Sequence, residues 1–146
     1  MTTAQHVAAI ELHRTRAFPA REGRSDMGDS GPGYHVVELD TGEDEFWDDE
    51  SSRWEAVHEQ YEAEREALAL VLERRWGPPD LVSLYSTLTR SLDGEEIPEP
   101  WAVLCCHVVD LQLWRVEGRW IAVGVSQWDR ELPFRLLAVI TEVDPP

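Results

Sequence analysis

The longest regular pattern of apolar and polar positions begins at Ser52. Ser52-Arg53-Trp54-Glu55 has the capping-box form, and the carboxylates that follow suit the positive end of a helix dipole. Trp54, Val57, Tyr61, Leu68 and Leu72 then recur at helical spacing, and the pattern stops at Gly77-Pro78-Pro79, so a helix is predicted to about Trp76. Glu55, Glu59, Glu62, Glu66 and Glu73 fall on a second stripe and make its outer face anionic. Arg65 lies within the apolar stripe, where it is expected to snorkel past its neighbours into water. Ala67 to Leu72 is apolar all round, which predicts deeper burial of the C-terminal half. Asp80 is placed to cap a second helix with Leu81, Leu84, Tyr85, Leu88 and Leu92 on one face, ended by Asp93-Gly94. Two helices so closely joined are expected to pack as a hairpin.

From Trp101 the period changes to two. Val103, Cys105, His107, Val109, Leu111 and Leu113 share one strand face, and Glu117-Gly118 reads as a two-residue hairpin turn. The register then sets Trp114 opposite Ile121, Leu113 opposite Ala122, Leu111 opposite Gly124 and His107 opposite Trp128. Phe134 to about Thr141 is apolar on both faces, the mark of a central strand. Thr3 is placed to cap an N-terminal helix reaching about Arg16, although Ile10 and Leu12 suit a strand as well. Pro19 to Gly33 is rich in Gly, Ser, Pro and Asp and reads as a mobile loop, and a short strand from Tyr34 to Leu39 follows it. The expected fold is α+β: a three- to four-stranded antiparallel sheet, its meander in the C-terminal third, with the helix hairpin on one face. Ile121, Val123 and Val125 on the opposite face need a cover, which the N-terminal segment or a second copy of the chain would supply.

At 146 residues the chain fits one domain, 1–146, large enough for a substantial core. Seven tryptophans are many for this length and are expected mostly as core or interface anchors. Neither lysine nor asparagine occurs, which points to a GC-rich genome rather than to a demand for guanidinium chemistry. In this respect the chain is similar to small acidic proteins of high-GC actinobacteria. That likeness is one of composition and implies no function.

Charge changes the picture more than any motif. Between Glu38 and Glu66 thirteen carboxylates face only Arg53 and Arg65, so this window holds −11 of the chain's −16. Clustered carboxylates repel phosphate backbones and anionic headgroups and draw in arginine- and lysine-rich surfaces. A basic protein partner is therefore expected, with no direct binding to nucleic acid or membrane. An acidic face that serves only solubility has the same letters. Residues 38–51 read as an acidic loop ahead of the long helix, and in it Phe46 and Trp47 lie among Asp44, Glu45, Asp48, Asp49 and Glu50. Aromatic rings amid carboxylates suit contact with arginine or lysine through cation–π and charge interactions together. The two rings would equally serve as a hydrophobic staple onto the helix.

Candidate chemistry is sparse. Cys105, Cys106, His107 and Asp110 form the one tight reactive cluster, yet alternation in a strand sends them to both faces, and no second ligand pair completes a zinc site. Nothing electropositive adjoins the two thiols, so buried cysteines beside a hydrogen-bonded core histidine are expected instead of a nucleophile. The acidic run lacks the glycine and bidentate glutamate of a calcium loop, and phosphate-loop, serine-elbow and zinc-protease motifs are absent from the sequence. No metal and no cofactor is expected. Two adjacent cysteines, no basic and apolar leader and no long apolar stretch point to a cytoplasmic protein.

The function expected from these features is that of a non-enzymatic interaction protein. Its acidic loop and helix face would engage a basic protein, as an immunity or antitoxin-like inhibitor covers the cationic cleft of a nuclease. The alternative is a small-molecule-binding protein or enzyme with an aromatic pocket between sheet and helices, lined by Trp101, Trp114, Trp120, Trp128 and His107. A homodimer through an uncovered sheet face is compatible with either.

Overall fold

The computed structural model describes residues 2–25, 28–41, 51–127 and 134–146, with the backbone alone at residues 25, 40, 41 and 51–54. Within them the fold is α+β and rests on one antiparallel sheet of seven strands rather than three to four. In chain order these are β1 (Gly23–Ser25), β2 (Gly28–Gly31), β3 (Tyr34–Thr41), β4 (Asp80–Ser83), β5 (Asp110–Val116), β6 (Arg119–Ser126) and β7 (Arg135–Thr141). Across the sheet they run β1-β2-β3-β7-β6-β5-β4. The helices are α1 (Thr3–Arg14), α2 (Ser51–Trp76), α3 (Tyr85–Leu92) and the short α4 (Trp101–Leu104).

Both faces of the sheet are covered. On one, Ile10 of α1 and Leu68 and Leu72 of α2 pack against Ile121, Val123 and Ile140. The face expected to need a cover thus receives it from the N-terminal helix and α2 together. On the other, Leu84, Trp101 and Leu104 pack against Leu111, Leu137 and Val139. Strand β7 lies between β3 and β6 and is buried on both sides, which is why its apolar residues do not alternate.

The expected helix hairpin does not form. Gly77 ends α2 in a left-handed conformation at φ 86°, and its amide closes the last turn on the Glu73 carbonyl at 2.8 Å. The two prolines extend the chain, and residues 80–83 pair with β5 as an edge strand instead of opening a helix. That strand carries the backbone past the sheet edge, so α2 and α3 lie on opposite faces. Of the apolar residues that suggested a longer helix, Leu84 and Leu88 pack inward while Leu81, Tyr85 and Leu92 face solvent.

Three further expectations change. The N-terminal segment is a helix, capped by Thr2 rather than Thr3: the Thr2 hydroxyl accepts from the Gln5 amide at 3.2 Å, and the Gln5 side chain accepts from the Thr2 amide at 2.8 Å. The Pro19–Gly33 segment, read as a mobile loop, contributes the edge strand β1 and its neighbour β2. The strand expected from Trp101 begins only at Asp110, because residues 101–104 wind into a helical turn and Cys105 donates its amide to the Trp101 carbonyl at 3.0 Å.

The β5–β6 hairpin turns at Glu117 (φ 51°) and Gly118 (φ 84°), both left-handed as a tight primed turn requires. Trp114 lies opposite Ile121 and Leu113 opposite Ala122, as the pattern predicts. Toward the far end the register slips by one, and Val108 bridges Ser126. A Cβ on Gly124 would come within 2.7 Å of the Leu111 side chain, so only glycine permits that close packing.

Candidate functional site

Helix α2 presents its glutamates as the spacing predicts. Glu55, Glu59 and Glu66 are exposed and make no ion pair among the described residues. Glu62 meets His58 at 3.8 Å and Arg65 at 3.6 Å. Arg65 does not snorkel. It is only 7% exposed, its Nη1 meets an Asp110 carboxylate oxygen at 2.7 Å, and its Nε donates to the Gln112 side-chain oxygen at 2.6 Å. One guanidinium thus ties the middle of α2 to the start of β5 and leaves most of the helix's carboxylates uncompensated.

An open cleft of about 630 Å³ lies beside this clamp, between α2 and the end of β5. Glu62, Glu66 and Asp110 supply negative charge that Arg65, also in the lining, offsets in part, and Leu81 and Val109 line it with apolar surface at 80% and 75% exposure. Large aliphatic side chains this open, set among carboxylates, have the mixed character of a contact surface. Gln127 also lines the cleft, and its buried amide nitrogen has no hydrogen-bond partner among the described residues. Such a donor is costly unless an acceptor is brought to it. Asp44, Glu45, Trp47, Asp48, Asp49 and Glu50, also expected in the site, lie outside the described residues, as does the staple suggested for Phe46 and Trp47.

A second, more enclosed cavity of about 440 Å³ opens on the opposite face, between the β1–β2 edge, β3 and α4. Val36, Leu104 and Leu137 give it an apolar floor. At one end the His107 Nδ1 and the Ser126 hydroxyl are 2.5 Å apart. Burial, reinforced by the positive charge of Arg135, pushes the His107 imidazole down to about 4, so it is neutral at physiological pH. At the other end Tyr34 is held in the wall with its phenol pushed up to about 12, first by burial and then by the Glu22, Glu99 and Asp29 carboxylates. Gly31 makes room for that ring: a Cβ there would lie 2.6 Å from it. Glu38 is bridged by Arg24 at 3.2 Å and by Arg135 at 3.0 Å, and Arg24 also meets Asp29 at 3.3 Å.

Of the residues expected around an aromatic pocket, His107 alone lines this cavity among those described. Trp101 is wholly buried under α4 and donates its indole N–H to the Val143 carbonyl at 3.1 Å. Trp114 packs on the α2 face and donates to the Gly77 carbonyl at 2.8 Å. Trp120 bonds Asp144 at 2.9 Å with the Arg115 guanidinium over its ring, and Trp128 lies outside the described residues. The walls are carboxylates, a phenol and aliphatic carbons instead. They come from segments far apart in the chain, and no local pattern announces them. The exposed Leu81 and Val109 were legible only as members of buried faces.

The cysteines sit in the turn after α4, not in a strand. Cys105 is buried, its thiol pushed up by burial and by the neighbouring Cys106, whereas Cys106 is exposed. A raised thiol is the opposite of what a cysteine nucleophile needs, which sets Cys105 apart from one. Among the described residues no group of three or more His, Cys, Asp or Glu side chains is placed to hold a metal ion, and no helix is long and apolar enough to cross a membrane. No family model matches the chain, and neither a curated protein nor a solved structure matches it.

Proposed function

We propose that this chain is a non-enzymatic interaction protein that presents the acidic face of α2 and the cleft beside it to a basic protein, in the manner of an immunity or antitoxin-like inhibitor. The observation that carries this reading is the cleft's composition: Glu62, Glu66 and Asp110 share it with the exposed side chains of Leu81 and Val109. Glu66, which has no ion pair among the described residues, and Glu62, which keeps only long contacts to His58 and Arg65, would steer a cationic surface inward and set its register, while aliphatic side chains desolvated on docking would hold it. The Gln127 amide nitrogen would donate to a backbone or side-chain oxygen of the partner and lose its unsatisfied state. Residues 38–50, with eight carboxylates and no arginine, add negative charge in the sequence immediately before the helix.

The test is capture of a partner from the native host at about 50 mM and about 300 mM salt, with wild-type protein and with a Leu81→Ser/Val109→Ser variant. A protein of basic isoelectric point, held by wild type at low salt, weakened at high salt and lost with the variant, supports the reading. Both substituted side chains are already in water, so the variant folds normally. A partner indifferent to salt and to the variant, or none at either salt, contradicts it.

A further inference from the structure

We propose that the cavity between the β1–β2 edge and α4 is a binding site for a small organic cation, a primary amine or guanidine carried on a short hydrocarbon chain. This site lies on the opposite face from the acidic cleft and does not depend on the role given to it. Its volume of about 440 Å³ falls within the range of small-ligand sites. Its lining divides into parts that match such a ligand. Val36, Leu104 and Leu137 offer a hydrocarbon chain a dry floor.

The charge at the walls decides the sign of the ligand. Glu22, Asp29, Glu38 and Glu99 all line the cavity. Arg24 compensates Asp29 and Glu38, and Arg135 adds a second contact to Glu38. Glu22 and Glu99 have no guanidinium partner among the described residues, and the Tyr34 phenol lies within their field. The site therefore holds an excess of negative charge beside the Tyr34 phenol, which is itself hydrogen-bonded to Glu22, and an ammonium or guanidinium group would balance that charge by charge-assisted hydrogen bonds. A bare metal ion fits poorly, because no three ligating side chains converge among the described residues. A fatty or carboxylic acid would set like charges against Glu22 and Glu99. At the far end the Ser126 hydroxyl, 1% exposed, and the neutral His107 ring offer uncharged hydrogen-bonding groups that suit a polar substituent on the chain's other end.

Titration of the ¹⁵N-labelled protein with n-butylamine and with butylguanidine, and with butyrate as the control, tests the site through its amide shifts. The expected result is saturable shifts at Tyr34, Val103 and Ser126 with both cations and none with butyrate. A Glu22→Gln/Glu99→Gln variant should bind about tenfold or more weakly while its other resonances stay in place. Glutamine at 99 keeps an acceptor for the Val103 amide, which the glutamate receives at 3.2 Å, so the α4 turn is preserved. Wild-type affinity in the double variant, an equal response to butyrate, or no saturable shift up to ~10 mM of either cation would overturn the proposal.

Discussion

The two faces of the sheet both carry carboxylates and use them in opposite ways. On the α2 side Glu55, Glu59 and Glu66 stand in water without ion pairs among the described residues, and the one buried cation, Arg65, is spent on Asp110, Gln112 and a long contact to Glu62. On the α4 side Arg24 and Arg135 thread between Asp29 and Glu38, and the remaining acids surround a buried phenol at the wall of an enclosed space. An open field of like charge selects a large partner by attraction over distance, whereas a partly compensated one around a recessed cavity selects a small ligand by fit as well as by charge. Counting acids in the sequence does not separate these cases. The positions of Arg24, Arg65 and Arg135 relative to them do.

The largest break in that comparison comes from Trp101, wholly buried where α4 covers the sheet. Trp101→Ala should cost about 4 kcal/mol of unfolding free energy in urea, through the void left behind and the stranded Val143 carbonyl. It should abolish cation binding before it touches the acidic cleft. Arg65→Ala, on the other face, should cost about 3 kcal/mol by leaving Gln112 unsatisfied and releasing the middle of α2 from β5. A loss under about 1 kcal/mol would mean that the clamp is a surface contact after all.

A third effect is one of pH, at a residue that lines both the acidic cleft and the cavity. His107 is pushed from 6.5 to about 4 in the folded chain. The unfolded chain therefore binds the extra proton first as pH falls. This contribution to stability is complete above about pH 6.5 and is lost as pH drops toward about 4. His107→Gln should flatten the stability profile over that window and leave it unchanged above neutrality, as read from urea midpoints. The smallest effect belongs to the exposed glutamates. Glu55→Gln/Glu59→Gln/Glu66→Gln should raise stability by about 0.5 kcal/mol, since it removes repulsion along the helix and breaks no contact. A marked loss would show that these side chains support the fold.

Much of the architecture was legible where one signal acted alone. Helix α2 followed from its stripe and its Gly-Pro-Pro stop, the β5–β6 hairpin and its inner register from Glu117-Gly118, and the centrality of β7 from its unbroken apolar run. It was illegible where two periods overlapped. Leu81, Leu84, Leu88 and Leu92 fit a helix, yet the first is in an edge strand and the last faces water. Val103 and Val109 fitted a strand face, although both are exposed, the first within the helical turn α4 and the second just ahead of β5. The β1–β2 edge was hidden for another reason. Its glycines, serines and aspartates have low strand propensity, and it is held by pairing to β3 and by the Arg24–Glu38 and Ser30–His35 contacts, none of which an apolar pattern announces. The acidic face of α2 was visible because it is local in sequence. The cavity opposite was not, because Tyr34, Glu99, Ser126 and Arg135 meet only through the order of the strands.

The central claim is that the uncompensated glutamates of α2 draw in a basic protein. Stopped-flow association with the captured partner, measured across salt concentration, tests it most directly. The account predicts a rate constant that falls steeply as salt rises, and one about tenfold lower at low salt for Glu55→Gln/Glu59→Gln/Glu66→Gln. A rate constant unchanged by salt and equal in the two proteins would contradict it.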